Sequence, residues 1–138
     1  MTVRISTTAA IAGLDAILAL ANNGSIVVYD GAAPATCEIA PTGTLLGTLA
    51  LLPTAFPGSS DGTDKASALA NTITDDIDAD ANGDPGYFRM LASGGAVILQ
   101  GSAGGPTGGP FDLTFDKDSF IAGDTIGISA FTVSQPEV

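Results

Sequence analysis

The sequence predicts a mainly β domain: an antiparallel β-sandwich of jelly-roll type with one short amino-terminal α-helix. Three observations predict it. Short β-branched or alternating segments recur from Ser25 to the carboxyl end, clusters of Gly, Pro, Asn and Asp separate them at fairly regular spacing, and helical periodicity is confined to the stretch before residue 22. At 138 residues the chain has the length of a single domain, 1–138. A fold of this size buries enough surface to need no disulfide or metal staple.

The helix is expected over residues 8–21. Ile11, Leu14, Ile17, Leu18 and Ala21 recur at helical spacing and form one apolar stripe. Thr7 or Thr8 can cap its start, and Asn22-Asn23-Gly24 can end it through a residue that tolerates positive φ. Arg4, the apolar run Ala9 to Ala21 and the small-x-small triplet Ala19-Leu20-Ala21 superficially resemble an export signal. Asp15 sits in the middle of that run, where a charge opposes membrane insertion, and the run is too short to span a bilayer. The helical reading is therefore preferred, and with an unpaired Cys37 it places synthesis in a reducing cytoplasm.

From Ser25 the punctuation belongs to β structure. Ser25 to Asp30 is a β-branched strand ended by Gly31, and Pro34 and Pro41 bracket an irregular loop around Cys37. Thr44 to Leu52 is expected as a strand with Leu45, Leu49 and Leu51 on one face and Leu46 and Leu52 on the other. Ala68 to Thr74 can form a third strand, and Asp75 to Gly86 is an acid-rich loop. Tyr87 to Leu91 and Ala96 to Gln100 make a hairpin about Gly94-Gly95, and Gly101 to Pro110 reads as a Gly/Pro loop. Phe111, Leu113 and Phe115 alternate with Asp112, Thr114 and Asp116. In the last strand, Thr125 to Ser134, the apolar face switches near Ala130, which calls for a bulge.

Composition narrows the function classes. Fifteen acidic against four basic residues, a net charge of −11, argue against binding to nucleic acid or to an anionic membrane. Histidine and tryptophan are absent and there is one cysteine, which removes Ser-His and Cys-His nucleophiles and Cys/His zinc sites. Mean hydropathy is +0.37 although aromatic residues are scarce. Such an apolar, charge-poor chain suits either a surface partly covered by neighbouring subunits or an Asp-coated β domain with a small-residue core.

Few segments carry candidate chemistry. Asp78-Ala79-Asp80-Ala81-Asn82-Gly83-Asp84 matches the first half of a calcium loop, but the position of the closing bidentate Glu is held by Arg89. A different calcium site using Asp76, Asp78, Asp80 and Asp84 is the one metal candidate, against the plainer reading of a solvated turn-forming loop, and no obligatory metal or cofactor is expected. The Gly101–Pro110 stretch has no Lys after its glycines and leads into a strand, so it is no phosphate cradle. Cys37 has no histidine partner to activate it. Asp112 and Asp116 could serve as a glycosidase pair, but they lie on the outward side of a strand in a chain without tryptophan. No catalytic residue is expected.

Several segments carry a resemblance. They are Met1-Thr2-Val3-Arg4-Ile5-Ser6-Thr7 before the helix, Tyr29-Asp30-Gly31-Ala32-Ala33-Pro34-Ala35-Thr36, Gly43-Thr44-Leu45-Leu46-Gly47-Thr48-Leu49, Gly86-Tyr87-Phe88-Arg89, Gln100-Gly101-Ser102, and Ala122-Gly123-Asp124-Thr125-Ile126 before Phe131-Thr132-Val133. Together they resemble a family of small virion structural proteins of tailed bacteriophages, over nearly the whole chain. Cys37 and the dense acidic loop fall outside that pattern. The resemblance implies a non-enzymatic capsid decoration or cement subunit on the virion surface, made in the host cytoplasm. It would bridge major capsid proteins by non-covalent contacts, as a homotrimer. A tail component or host-surface binding module is the alternative. Neither role involves nucleic acid or a membrane, and the Gly101–Pro110 loop is the expected contact with a neighbour.

Overall fold

Ser6 caps the helix, taking the place expected for Thr7 or Thr8: its hydroxyl accepts the Ala9 N–H at 3.1 Å. The computed structural model describes residues 3–128 and 130–137, so Met1 and Thr2 of the resemblance lie outside it. Helix α1 (Thr7–Ala19) gives way to turns, and Asn23 adopts a φ of 59° as the chain leaves it. Its buried stripe is Ala10, Leu14 and Leu18, continued by Ala21 just beyond the helix, with Ile11 packed at the margin. Ile17, expected in the stripe, is instead 38% exposed. Positions 10, 14 and 18 form one i, i+4 row, and 17 lies just past its edge, about 100° round the helix from Leu18.

Eight strands follow: β1 (Ser25–Tyr29), β2 (Leu45–Ala50), β3 (Ser60–Gly62), β4 (Lys65–Leu69), β5 (Tyr87–Leu91), β6 (Val97–Gly104), β7 (Leu113–Thr114) and β8 (Thr132–Pro136). They form a five-stranded sheet in the order β2-β1-β5-β6-β7 and a three-stranded sheet in the order β3-β4-β8. The described residues are thus mainly β, with two sheets and a single helix. One hydrophobic core joins α1 to both sheets, and α1 packs on the smaller sheet, where the small side chains of Ala66 and Ala68 admit it. Phe131, just before β8, meets Phe88 of β5 edge-on at 5.4 Å and Phe56 at 6.2 Å, tying the two sheets together.

Several expectations are corrected. The leucine faces of β2 differ: Leu46, Leu49 and Leu51 are buried while Leu45 and Leu52 are exposed. The cause is a bulge, because Val28 pairs with Gly47 and Tyr29 with Leu45, leaving Leu46 as an extra residue that turns the alternation over. The strand expected over Ala68 to Thr74 forms earlier, as β4, where it pairs with β3 and β8. Gly101 to Gly104 continue β6 rather than opening a loop, and Phe111 to Asp116 contributes only the two residues of β7. That pair is parallel, so the sheet is not purely antiparallel. Phe111 packs where a Cβ on Gly104 would stand, which brings the returning chain alongside β6 in the same direction.

The segment expected as one strand from Thr125 splits. Ile126 bridges Asp76, and strand pairing resumes only at Thr132. The expected face switch adjoins Ser129, which lies outside the described residues. Among the described residues no helix is long and apolar enough to cross a membrane.

Candidate functional site

The acidic segment proves to be half of an irregular two-stranded ribbon. Asp76 and Ile126 exchange backbone hydrogen bonds at 3.1 and 2.7 Å, and Gly83 and Phe120 do so at 3.0 and 2.8 Å. Between them the Ala79 N–H donates to Asp124 C=O and the Gly123 N–H returns a bond to Ala79 C=O. The segment bends at 77–78 and 80–81 but stays pinned to its partner at both ends and the middle, so it does not wrap its carboxylates round one point.

The four calcium candidates therefore diverge. Asp76 accepts the Thr48 N–H on one oxygen at 2.8 Å and the Asp78 N–H on the other at 3.0 Å. Asp84 accepts the Ser119 hydroxyl, and the side chains of Asp78 and Asp80 are exposed. Among the described residues no three His, Cys, Asp or Glu side chains converge on a point that could hold a metal. Asn82 accepts the Ala122 N–H at 2.7 Å and Asp124 accepts the Ile121 N–H at 3.0 Å. These side chains act as staples for a ribbon with few ladder bonds of its own. Asp112 and Asp116 are staples too: Asp112 takes the Ser102 N–H at 2.8 Å and Asp116 the Gly127 N–H at 3.4 Å, so each is committed to a different segment.

A polar centre that the sequence reading missed lies on the outer side of β5. Arg89 is 2% exposed and has no carboxylate partner among the described residues. Its Nε donates to Gln100 Oε1 at 3.0 Å across the β5–β6 pair, and its Nη2 donates to the Ile39 carbonyl at 2.7 Å. Gln100 in turn donates to the Pro34 carbonyl at 2.7 Å. The phenol of Tyr87 donates to Thr42 C=O at 2.7 Å and accepts the Thr42 N–H at 3.0 Å. The base of the same loop is closed by Asp30, which takes the Thr44 N–H at 2.6 Å. The whole segment 31–43 is thus latched over the sheet, with half-buried Cys37 near its middle. Tyr29 stacks on Tyr87, centroids 5.0 Å apart, and burial first, then the neighbouring phenol, raises its pKa above the ordinary tyrosine value.

Arg89 is therefore a structural latch, its charge shared among backbone carbonyls of a loop that would otherwise lift into solvent. One signal was available. In Tyr87-Phe88-Arg89-Met90, alternation puts Arg89 on the face opposite Phe88 and Met90, directly across from Gln100.

The surface shows what composition anticipated. Of the four cationic side chains, Arg89 is buried, Arg4 pairs with Asp64 at 3.1 Å and Lys117 with Asp124 at 3.5 Å. Most carboxylates are left without a cationic partner among the described residues. Scattered through this anionic surface are exposed apolar side chains: Ile77 at 77% and Ile121 at 63% on the ribbon, Leu20 at the end of α1, and Leu69 on β4. The Gly105–Pro110 remainder of the expected contact loop is mostly exposed.

No family model matches the chain, and neither a curated protein nor a solved structure is significantly similar to it.

Proposed function

We propose that this protein is a virion structural subunit of a tailed bacteriophage, a decoration or cement protein that binds the outer capsid surface and bridges major capsid proteins without catalysing a reaction. The observation that carries the reading is the distribution of exposed apolar side chains. Ile77 and Ile121 on the ribbon, Leu69 on the small sheet and Leu20 at the helix end belong to separate elements, as suits a subunit touching several neighbours at once. Each such contact can be weak, because linked contacts reinforce one another through effective concentration. The uncompensated negative charge keeps unassembled subunits soluble and apart.

The finer architecture belongs to the same proposal: the two sheets are the halves of a jelly-roll-like sandwich, assembled as a homotrimer on the virion. The alternative position is the tail or a host-binding tip. Quantitative gel densitometry of purified virions separates the two. The decoration role predicts copies in the hundreds, comparable with the major capsid protein, and a count near that of a tail ring overturns it.

A further inference from the structure

The strand edges of this fold are unequally protected. The outer edge of β2 is filled: Thr74 N–H donates to Ala50 C=O, Thr48 N–H to the Asp76 carboxylate and Asp80 N–H to Leu46 C=O. Strand β7 has only two residues and β3 only three. Strand β7 covers only Ala103 and Gly104 of β6, whose Leu99 and Gln100 line a groove beside β8, and strand β8 is open along its length. Ala70 N–H to Phe131 C=O at 2.8 Å and Glu137 N–H to Asp64 C=O at 3.0 Å set its parity, so the odd residues bond to β4 and the even ones turn their backbone groups away. Thr132 and Ser134 thus present N–H and C=O groups with no partner among the described residues, and Pro136 ends the open edge at a position where its missing N–H costs nothing.

Beside this edge runs a groove of about 300 Å³, floored by Phe88 and Leu99 and walled by Thr132, Val133 and Ser134. Leu99 is only half-buried, although it lies on the sheet face that carries core residues. Asp112 stands at the groove with Ser102 as its hydrogen-bond partner and no cation beside it among the described residues. We propose that the free edge of β8 accepts an extended strand from a different protein, an arm that sets small apolar side chains over Leu99 and Phe88 and carries a lysine or arginine opposite Asp112. A second copy of this chain is the wrong occupant on charge. It would bring the same excess of carboxylates, and its cations other than Lys65 are buried or already paired. The inference stands on the edge and the groove, and does not depend on where in a virion, or elsewhere, the protein resides.

The test uses the full chain, isotope-labelled, and a blocked synthetic peptide of alternating valine and threonine with one central lysine. Amide exchange at Thr132 and Ser134 is expected to be fast in the free protein and to slow by about tenfold or more with peptide. A peptide N-methylated at alternate residues should lose the effect, and one with glutamate for lysine should weaken it. Ser134→Pro should abolish the protection while leaving thermal unfolding nearly unchanged; should that variant fail to fold, the N-methylated peptide decides. No protection at millimolar peptide, or equal binding of the N-methylated form, overturns the proposal. So does protection that appears without peptide as protein concentration rises, since the occupant would then be a second copy.

Discussion

Replacing Arg89 by methionine keeps an unbranched stem in place and deletes the guanidinium. Two partly buried acceptors then lose their donor: Gln100 Oε1, held at 3.0 Å, and the Ile39 carbonyl, held at 2.7 Å. Hydrogen bonds to a charged group contribute about 1.5–3 kcal/mol, and an acceptor left buried costs its desolvation as well. Against this, the charge itself was costly to bury, and the loop can lift so that Ile39 reaches water. The expected net loss is about 2–4 kcal/mol. At about 3–4 °C per kcal/mol for a chain of this length, the melting temperature should fall by roughly 6–16 °C. Thermal unfolding followed by circular dichroism reads the loss. Limited proteolysis reads its location, with new cleavage confined to residues 31–43. Gln100→Ala alone should cost less, and the double variant should fall short of the sum, because both side chains hold the same loop. A melting temperature within 2 °C of the parent (about 0.6 kcal/mol), with the loop still resistant, would refute the latch.

Leu14→Ala should cost about 2.7–5 kcal/mol, since Leu14 is 1% exposed, whereas Ile17→Ala at 38% exposure should stay below about 1 kcal/mol; chemical denaturation midpoints compare them. The raised pKa of Tyr29 favours the neutral phenol in the folded state, so its contribution is complete below about pH 10 and is lost as pH climbs through the folded value. Tyr29→Phe should therefore flatten the alkaline fall in stability, and an unchanged fall contradicts the assignment. Because Asp76 and Asp84 are engaged as staples, chelator should leave the melting temperature unchanged and calcium should not raise it.

Local patterns that depend on neighbours in sequence were legible in the chain. The Ile26–Val28 run, the Gly94-Gly95 turn and the helix before Asn22 each rest on residues within one turn or one strand. What escaped depends on partners far away. The bulge at Leu46 is set by pairing with β1, and it put Leu46 on the inward face in place of Leu45, which strict alternation predicted beside Leu49 and Leu51. Asp76 to Asp84 carried the spacing of a cation loop, but distant Phe120 to Ile126 pins the segment alongside itself by backbone pairing. Arg89 stood out in the sequence only as the residue in place of a calcium-loop glutamate, because nothing adjacent to it announces that residues 34–39 will fold back and cover it. Similarly, the short parallel β6–β7 pair needs Phe111 to dock on Gly104, a contact that alternation over Phe111 to Asp116 does not encode.

The central claim, a decoration subunit bridging capsid proteins, is tested most directly by cryo-electron microscopy of the virion at a resolution that traces the chain. The account predicts this two-sheet, one-helix fold at repeated positions on the outer capsid surface, in threefold clusters over seams between major capsid proteins. Density for the fold confined to the tail, or none on the virion at all, would contradict it.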